Sequence, residues 1–222
     1  MAGIFIANAL LGELIGGKLI QVGPFTMSIG VIPWPVVFLT TDLINEYYGK
    51  NGVRKLTFLT VALIIYTFLV LYLAMQVTAA PFSPVNDAAF TMVFAQSMWI
   101  IIGSIIAFLV SQLVDVIVFW MFRSRTGGRM LWLRATGSTA VSQLIDSFVI
   151  IGIAFYLPGT LTLMEFLNLA VTNYSYKLLI AIALTPLIYL FHSIIDQYLG
   201  EESSEQMIQE AAQRSIDETA IA

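Results

Sequence analysis

Long apolar stretches dominate this chain and limit what it can fold into. Crossing the hydrocarbon layer of a membrane as a helix takes about 20 mostly apolar residues. Only 11% of the 222 residues are charged, whereas a soluble domain carries roughly 25%. The pattern therefore predicts an all-α integral membrane protein, a bundle of six transmembrane helices. The six stretches are residues 3–20, 31–48, 55–78, 98–122, 135–157 and 171–198.

Basic residues in the connecting segments predict how the helices are oriented, because Lys and Arg collect on the cytoplasmic side of membrane proteins. The segments at 21–30, 79–97 and 158–170 contain neither residue. The basic residues surround the other two connections, and they are Lys50, Arg54, Lys55, Arg123, Arg125, Arg129 and Arg134. Both termini are therefore expected in the cytoplasm, in a multi-pass protein of the cytoplasmic (inner) membrane.

The second apolar stretch has an irregular beginning. Its residues 32–35 read Ile-Pro-Trp-Pro and follow a segment with glycine and proline at 23–30. Two prolines so close together disfavour a regular helix. Non-helical backbone at membrane depth is tolerated only where protein or a water-filled cavity covers it. Helix 2 is therefore predicted to have a broken or partly re-entrant, proline-containing start. In the first stretch, Gly12 and Gly16 form a GxxxG pattern that permits close packing.

The composition changes to Glu, Gln, Ser and Ala after the last apolar stretch. We divide the chain accordingly into a six-helix transmembrane domain, residues 1–199, and an acidic cytoplasmic tail, residues 200–222. A weak apolar stripe in the tail predicts a short soluble helix. Docking of this helix onto a partner is the alternative. The stripe consists of Ile208, Ala212 and Ile216.

Ionisable residues within the predicted helices form the candidate site. On insertion scales each costs roughly 2.5–3.5 kcal/mol at the membrane centre, so such residues face the bundle interior and are functional candidates. Asp42 and Glu46 lie four residues apart on one helical face. Asp115 and Asp146 lie at similar depth in the cytoplasmic half. Lys177 lies in the outer part of the last helix.

A short repeat connects two of these acids. The sequence Ser-Gln-Leu-Val-Asp at 111–115 matches Ser-Gln-Leu-Ile-Asp at 142–146. In each copy the glutamine, Gln112 or Gln143, lies three residues before the aspartate and shares its helical face. The copies are predicted on antiparallel neighbours, where two Gln–Asp pairs converge on one cavity. Inverted repeats of this kind are common in transporters; a chance match of five residues is the alternative.

Carboxylates and carboxamides in a dry bundle suit a planar, nitrogen-rich solute. They accept hydrogen bonds from N–H edges and pair with an amine, and Phe38, one turn before Asp42, offers an aromatic face for stacking. The same acids could instead carry protons. A third interpretation is a lattice of internal ion pairs in which Lys177 or Lys18 neutralises an aspartate.

Other classes of protein agree less well with the sequence. An intramembrane hydrolase needs a nucleophile with a base or a metal, but the chain has no cysteine, and its one histidine, His192, lies at a predicted membrane edge. We therefore expect no enzymatic activity, no cofactor, no metal site and no nucleic acid partner. A scaffold subunit would account for the fold but not for the polar interior. The oligomeric state stays open, and a homodimer is compatible with the sequence.

Four segments of the chain carry motifs of one family. They are residues 34–49 (WPVVFLTTDLINEYYG), Gln112–Val116 with Phe119, Ser142–Ser147, and Asn173–Lys177 (NYSYK). These segments resemble the queuosine-precursor transporter family, also catalogued as vitamin uptake transporters, and the resemblance runs over residues 12–190 in the same order and spacing. The family is also similar in architecture to the six-helix substrate-binding subunits of energy-coupling-factor vitamin importers.

The resemblance implies import of a 7-deazapurine such as preQ0, preQ1 or queuine, a precursor of the tRNA nucleoside queuosine. The alternative is a transporter or substrate-binding subunit for another vitamin or nucleobase. The chain departs from the family at Glu13, where an uncharged polar residue is expected. Because the chain has no P-loop, any use of ATP would need a separate subunit. Matching positions for substrate binding are Asp42, Gln112, Asp115, Gln143, Asp146, Asn173 and Lys177, and Glu46 and Phe38 complete the predicted site.

Overall fold

Helices make up most of the structure. The computed structural model describes residues 1–16, 18–23, 25–95, 98–126 and 130–221. Its helices are α1 (Ala2–Ile15), α2 (Trp34–Met75), α3 (Asp87–Phe94), α4 (Met98–Thr126), α5 (Leu131–Ile151), α6 (Leu163–Leu199) and α7 (Glu201–Ile221). Three shorter elements complete the structure. They are an antiparallel hairpin of β1 (Leu19–Val22) and β2 (Phe25–Ser28), a 3-10 turn (Ile29–Val31) and a π-helical turn (Gly152–Tyr156). Arg129 and the side chain of Ile216 lie outside the described residues.

Four helical stretches are long and apolar enough to cross a membrane. They are Ile29–Met75, Asp87–Thr126, Trp132–Tyr156 and Leu163–Leu199. Many large apolar side chains on them point outward, such as Leu69, Ile117 and Leu179, each more than half exposed. Apolar surface on this scale marks contact with lipid or with another protein. The structure thus confirms a helical integral membrane protein.

The described residues between α1 and α2 form no α-helix. Helix α1 ends at Ile15 instead of near residue 20, and the β1–β2 hairpin and the 3-10 turn follow it. Helix α2 then begins at Trp34, with Pro33 as its N-cap and Pro35 in its first turn. Proline is tolerated there because the first N–H groups of a helix have no partner within the helix. The backbone before Pro33 is thus irregular, whereas the two prolines themselves lie at the start of a regular helix that is not broken there.

Glycines hold this segment closely against α1. The Ser28 hydroxyl donates a hydrogen bond to the carbonyl oxygen of Gly16 at 2.6 Å. A Cβ atom added to Gly30 would lie 2.7 Å from the carbonyl oxygen of Gly12 and 3.0 Å from Cα of Gly16. The GxxxG pattern of α1 therefore does permit close packing, and its partners are the 3-10 turn and Trp34 at the start of α2.

Helix α2 is broken at Gly49. This residue has φ 71° and ψ −172°, a backbone conformation that glycine adopts readily and other residues avoid. The break lies beside the basic residues Lys50 and Arg54, where the sequence predicts a loop between two spans. In the structure the two helical parts, 34–48 and 50–75, meet at a single residue without a loop.

Contacts between helices define their relative directions. At one end of the first part of α2, the Trp34 ring lies 6.0 Å from the ring of Phe108 and 5.2 Å from the Lys177 ammonium. At the other end, Glu46 Oε2 lies 3.3 Å from Arg123 Nη1. The first part of α2 therefore runs parallel to α4, with which it shares a hydrophobic core.

Helix α7 packs on the bundle at the Glu46 end. Arg123 Nη2 donates to the carbonyl oxygen of Ile208 at 3.2 Å. Asp196 of α6 accepts hydrogen bonds from the Tyr47 hydroxyl of α2, at 2.9 Å, and from the Ser204 hydroxyl of α7. The tail is thus a helix, as the sequence predicts, and it docks on the membrane-spanning part of its own chain.

We expect that Gly30→Ala lowers stability, because the new Cβ meets backbone atoms of α1 that cannot move independently. Overpacking typically costs about 1–3 kcal/mol, so the melting temperature of the detergent-purified protein should fall by several degrees. Gly3→Ala is the matched control, since a Cβ at Gly3 meets nothing within 4 Å. Equal melting temperatures for the two variants would contradict the close packing of this turn.

Candidate functional site

The two copies of the Ser-Gln-x-x-Asp repeat face each other across α4 and α5. The Ser111 hydroxyl donates to Asp146 Oδ1 at 3.3 Å, and the Ser142 hydroxyl donates to Asp115 Oδ1 at 3.0 Å. The serine of each copy therefore binds the aspartate of the other. Such crossed hydrogen bonds require antiparallel neighbours, as the sequence predicts for these helices.

Asp146 is neutralised by a cation from α6. The Lys177 ammonium forms an ion pair and a hydrogen bond with Asp146 Oδ2, and both side chains are buried. Glu13 of α1 lies close to this pair and hydrogen bonds to Ser104. The ion-pair interpretation is therefore confirmed for Lys177 and Asp146, whereas Lys18, the other candidate, is exposed.

Asp115 lies in a polar cavity that contains several unpartnered hydrogen-bond acceptors. No salt bridge to Asp115 is found among the described residues, and its Oδ2 is buried without a hydrogen-bond partner. The side-chain oxygens of Gln112 and Gln143 are also buried and unpartnered. Gln112 Nε2 donates only a long hydrogen bond, 3.5 Å, to the Thr41 hydroxyl. The residues that line the cavity are Phe38, Thr41, Ser111, Gln112, Asp115, Thr139, Ser142 and Gln143.

Asp42 lines a second cavity that adjoins the first. The two cavities share Phe38 and Thr139. Oδ1 of Asp42 is buried without a hydrogen-bond partner, and the other lining residues are Leu39, Thr136, Ala181, Leu184 and Ile188. Each cavity has a free volume of about 10 Å³, which is room for about one water molecule. A larger molecule can bind only if side chains or helices move apart.

Glu46 is bound by two arginines and lines neither cavity. Arg134 Nη2 lies 2.7 Å from Glu46 Oε1, and Arg123 Nη1 lies 3.3 Å from Oε2. All three side chains are less than a tenth exposed. Although Glu46 lies one turn from Asp42, the structure does not bring it together with the other predicted binding residues. The positive charge of the two arginines instead offsets the cost of burying its carboxylate.

The two remaining predicted residues differ in their surroundings. Phe38 lines both cavities, and its ring lies 5.8 Å from that of Trp34. Asn173 is half-buried on α6, one turn before Lys177. Within the part of the chain that the structure describes, no hydrogen bond joins Asn173 to the cavities.

Sequence reasoning missed several polar residues of the cavities. The hydroxyls of Thr41 and Thr139 line them, as do those of Ser111 and Ser142. The serines belong to the repeat, so their identical positions in its two copies were a usable signal. The threonines carry no such signal, because a threonine in an apolar helix often bonds only its own backbone, as Thr41 does with the carbonyl of Val37.

Comparisons with known proteins agree with this architecture. Residues 28–191 match the family model described as "Putative vitamin uptake transporter". The "Probable queuosine precursor transporter" of Bacillus subtilis is 30% identical over 182 residues, which cover 80% of this chain and 77% of the relative. The protein of the same name from Haemophilus influenzae is 31% identical over 164 residues, 72% of this chain and 66% of the relative. No solved structure matches the chain.

The matched range includes the whole candidate site. Every residue that lines the two cavities, from Phe38 to Ile188, lies between residues 28 and 191. The Lys177–Asp146 ion pair and the bound Glu46 lie there as well. On the extent of this match, the chain belongs to the vitamin uptake transporter family.

Proposed function

We propose that this protein imports a 7-deazapurine precursor of queuosine across the cytoplasmic membrane. The observation that carries the proposal is the set of unpartnered acceptors on Gln112, Asp115 and Gln143, which line one cavity. Each unsatisfied buried acceptor costs about 1–3 kcal/mol. A ligand that presents several N–H donors would remove this cost, and the guanine-like edge of a 7-deazaguanine carries such donors on its ring and amino nitrogens.

The names of the two relatives support the same class of substrate, since both are described as queuosine precursor transporters. The family description supports the broader alternative, another vitamin or nucleobase. A thermal-shift panel of deazaguanines, purines and vitamins on the purified protein separates the two. Stabilisation by biotin or riboflavin but not by deazaguanines would contradict our choice of substrate.

The proposal includes no chemical conversion of the substrate. The polar groups of the cavities are hydroxyls, carboxamides and the carboxylates of Asp42 and Asp115. These groups bind a solute by hydrogen bonds and charge. His192 lines neither cavity, and its Nδ1 lies 2.7 Å from Asp196 Oδ2 at the end of the bundle where α7 docks.

We further propose six spans with both termini in the cytoplasm. A straight α2 of 42 residues would be about 63 Å long, twice the hydrocarbon thickness of about 30 Å. The break at Gly49 allows its two parts to cross separately. Together with α4, α5, α6 and the shorter α1 of 14 residues, this makes six spans. Lys50, Arg54 and Arg123 then lie on the cytoplasmic side, together with α7, as the distribution of basic residues favours.

Single-cysteine labelling tests this topology without background, because the chain contains no cysteine. A membrane-impermeant maleimide should label Thr78→Cys in intact cells. Arg54→Cys and Gln209→Cys should react only after the membrane is opened. All three positions are exposed in the structure, so burial would not prevent labelling. External labelling of Arg54→Cys, or its protection on both sides, would contradict two separate crossings by α2.

Replacing Asp115 by Asn should abolish most uptake while the protein still folds. The amide keeps the size of the side chain and an acceptor for Ser142, but it loses the charge and one acceptor oxygen. Hydrogen bonds to charged groups contribute about 1.5–3 kcal/mol, so affinity should fall about 10- to 100-fold. The measurement is uptake of labelled deazaguanine by cells that cannot synthesise it, with and without a collapsed proton gradient.

The matched control for Asp115→Asn is Glu210→Gln. This change also removes one carboxylate, but from an exposed pair with Arg214 on α7, where ion pairs contribute little. Uptake by Glu210→Gln should equal that of the wild type. Full uptake by Asp115→Asn at equal expression would mean that this carboxylate does not bind the substrate.

Lys177→Met should destabilise the protein, because it leaves Asp146 as an uncompensated buried charge. Breaking a buried pair in this way typically costs about 3–5 kcal/mol. The double variant Lys177→Met/Asp146→Asn removes both charges and should recover much of the melting temperature. If the double variant were no more stable than the single one, the pair would not be the structural element that its geometry indicates.

A further inference from the structure

The two adjoining cavities differ in their chemistry. The cavity around Asp115 is lined by carboxamides and hydroxyls. The cavity around Asp42 has mostly apolar walls, including Leu39, Leu184 and Ile188. Because they share Phe38 and Thr139, a single ligand can extend from one into the other once the cavities widen.

No base among the described residues forms a salt bridge with Asp42 or Asp115. Within the described part of the chain, the buried bases are Arg123, Arg134 and Lys177, and the buried aspartates and glutamates are Asp42, Glu46, Asp115 and Asp146. Both arginines bind Glu46, and the lysine binds Asp146. The described ion pairs include neither of the two carboxylates that line the cavities. A buried carboxylate of this kind is costly unless a cation pairs with it.

We propose that the site takes its substrate as a cation, with the heterocycle in the Asp115 cavity and a protonated amine on a short arm beside Asp42. This inference rests on the proposed function and narrows it to deazaguanines that carry an aminomethyl arm. An ammonium group donates charge-assisted hydrogen bonds to a carboxylate. The apolar walls around Asp42 strengthen that contact, because the local dielectric is low.

A neutral nitrile in place of the aminomethyl group would be bound less well. Its nitrogen is a hydrogen-bond acceptor without a proton, so it would face the unpartnered oxygen of Asp42 as one acceptor facing another. Phe38 adds to the difference, because it lines both cavities and an aromatic face attracts a cation but not a nitrile.

The test compares two ligands that differ only in this arm, 7-aminomethyl-7-deazaguanine and 7-cyano-7-deazaguanine. Equilibrium binding is measured at neutral pH on purified wild type, Asp42→Asn, Asp115→Asn and the control Glu210→Gln. Wild type and control should bind the aminomethyl compound about 10- to 100-fold more tightly. Asp42→Asn should bring this ratio close to one by weakening only the aminomethyl compound. Asp115→Asn should weaken both compounds.

The outcomes separate this inference from the proposed function. Equal affinities on wild type, or tighter binding of the nitrile, would overturn the inference and leave the proposed function in place. This comparison needs no variant, so it stands even if Asp42→Asn does not fold. An unchanged ratio in a folded Asp42→Asn protein would equally overturn it, as expected if Asp42 carries a proton instead of binding the amine. Failure of both compounds and of queuine to bind would contradict the proposed function itself.

Discussion

The cost of burying a charge in a medium of low dielectric governs the interior of this protein. An unpaired ion inside a membrane is expensive, so buried charges are paired or face a polar cavity. Glu46 meets this requirement with two arginines, and Asp146 meets it with Lys177. Asp42 and Asp115 have no such ion pair among the described residues, and both line cavities. The pairing thus distinguishes the carboxylates held in ion pairs from those that line the cavities.

The two copies of the repeat are nearly identical in sequence, but their aspartates differ in their ion pairing. Ser111 and Ser142 exchange hydrogen bonds with the aspartates of opposite copies, so α4 and α5 are matched along the repeat. Helix α6 breaks the symmetry, because among the described ion pairs its Lys177 binds Asp146 and not Asp115. One copy therefore contributes an ion pair and the other an open carboxylate. If the surroundings of the two copies were the same, Asp115 and Asp146 would be either both paired with a cation or both unpaired.

Irregular backbone shapes the long helix α2 at Gly49 and just before its start. Gly49 interrupts a helix that would otherwise be twice as long as the hydrocarbon layer is thick. The 3-10 turn after the hairpin packs on the glycines of α1 and leads directly into the helix that carries Phe38 and Asp42. At the other end, Arg123 bonds both Glu46 and the backbone of α7. The buried charges of the bundle are therefore connected to the docked C-terminal helix.

The sequence by itself determined the membrane class, the antiparallel repeat and the family, because length, apolar periodicity and local motifs are properties of contiguous residues. It also identified the buried acids as candidates. Only the tertiary structure decided which acids are paired, because Glu46, Arg123 and Arg134 come from three different helices, and so do the groups around Asp115. The docking of α7 could not be predicted from the sequence either, because its contacts join residues from several different helices. A charged residue in an apolar helix predicts that a group of opposite charge or a polar cavity is needed. The packing of segments that are distant in sequence determines which group lies close enough to pair with it.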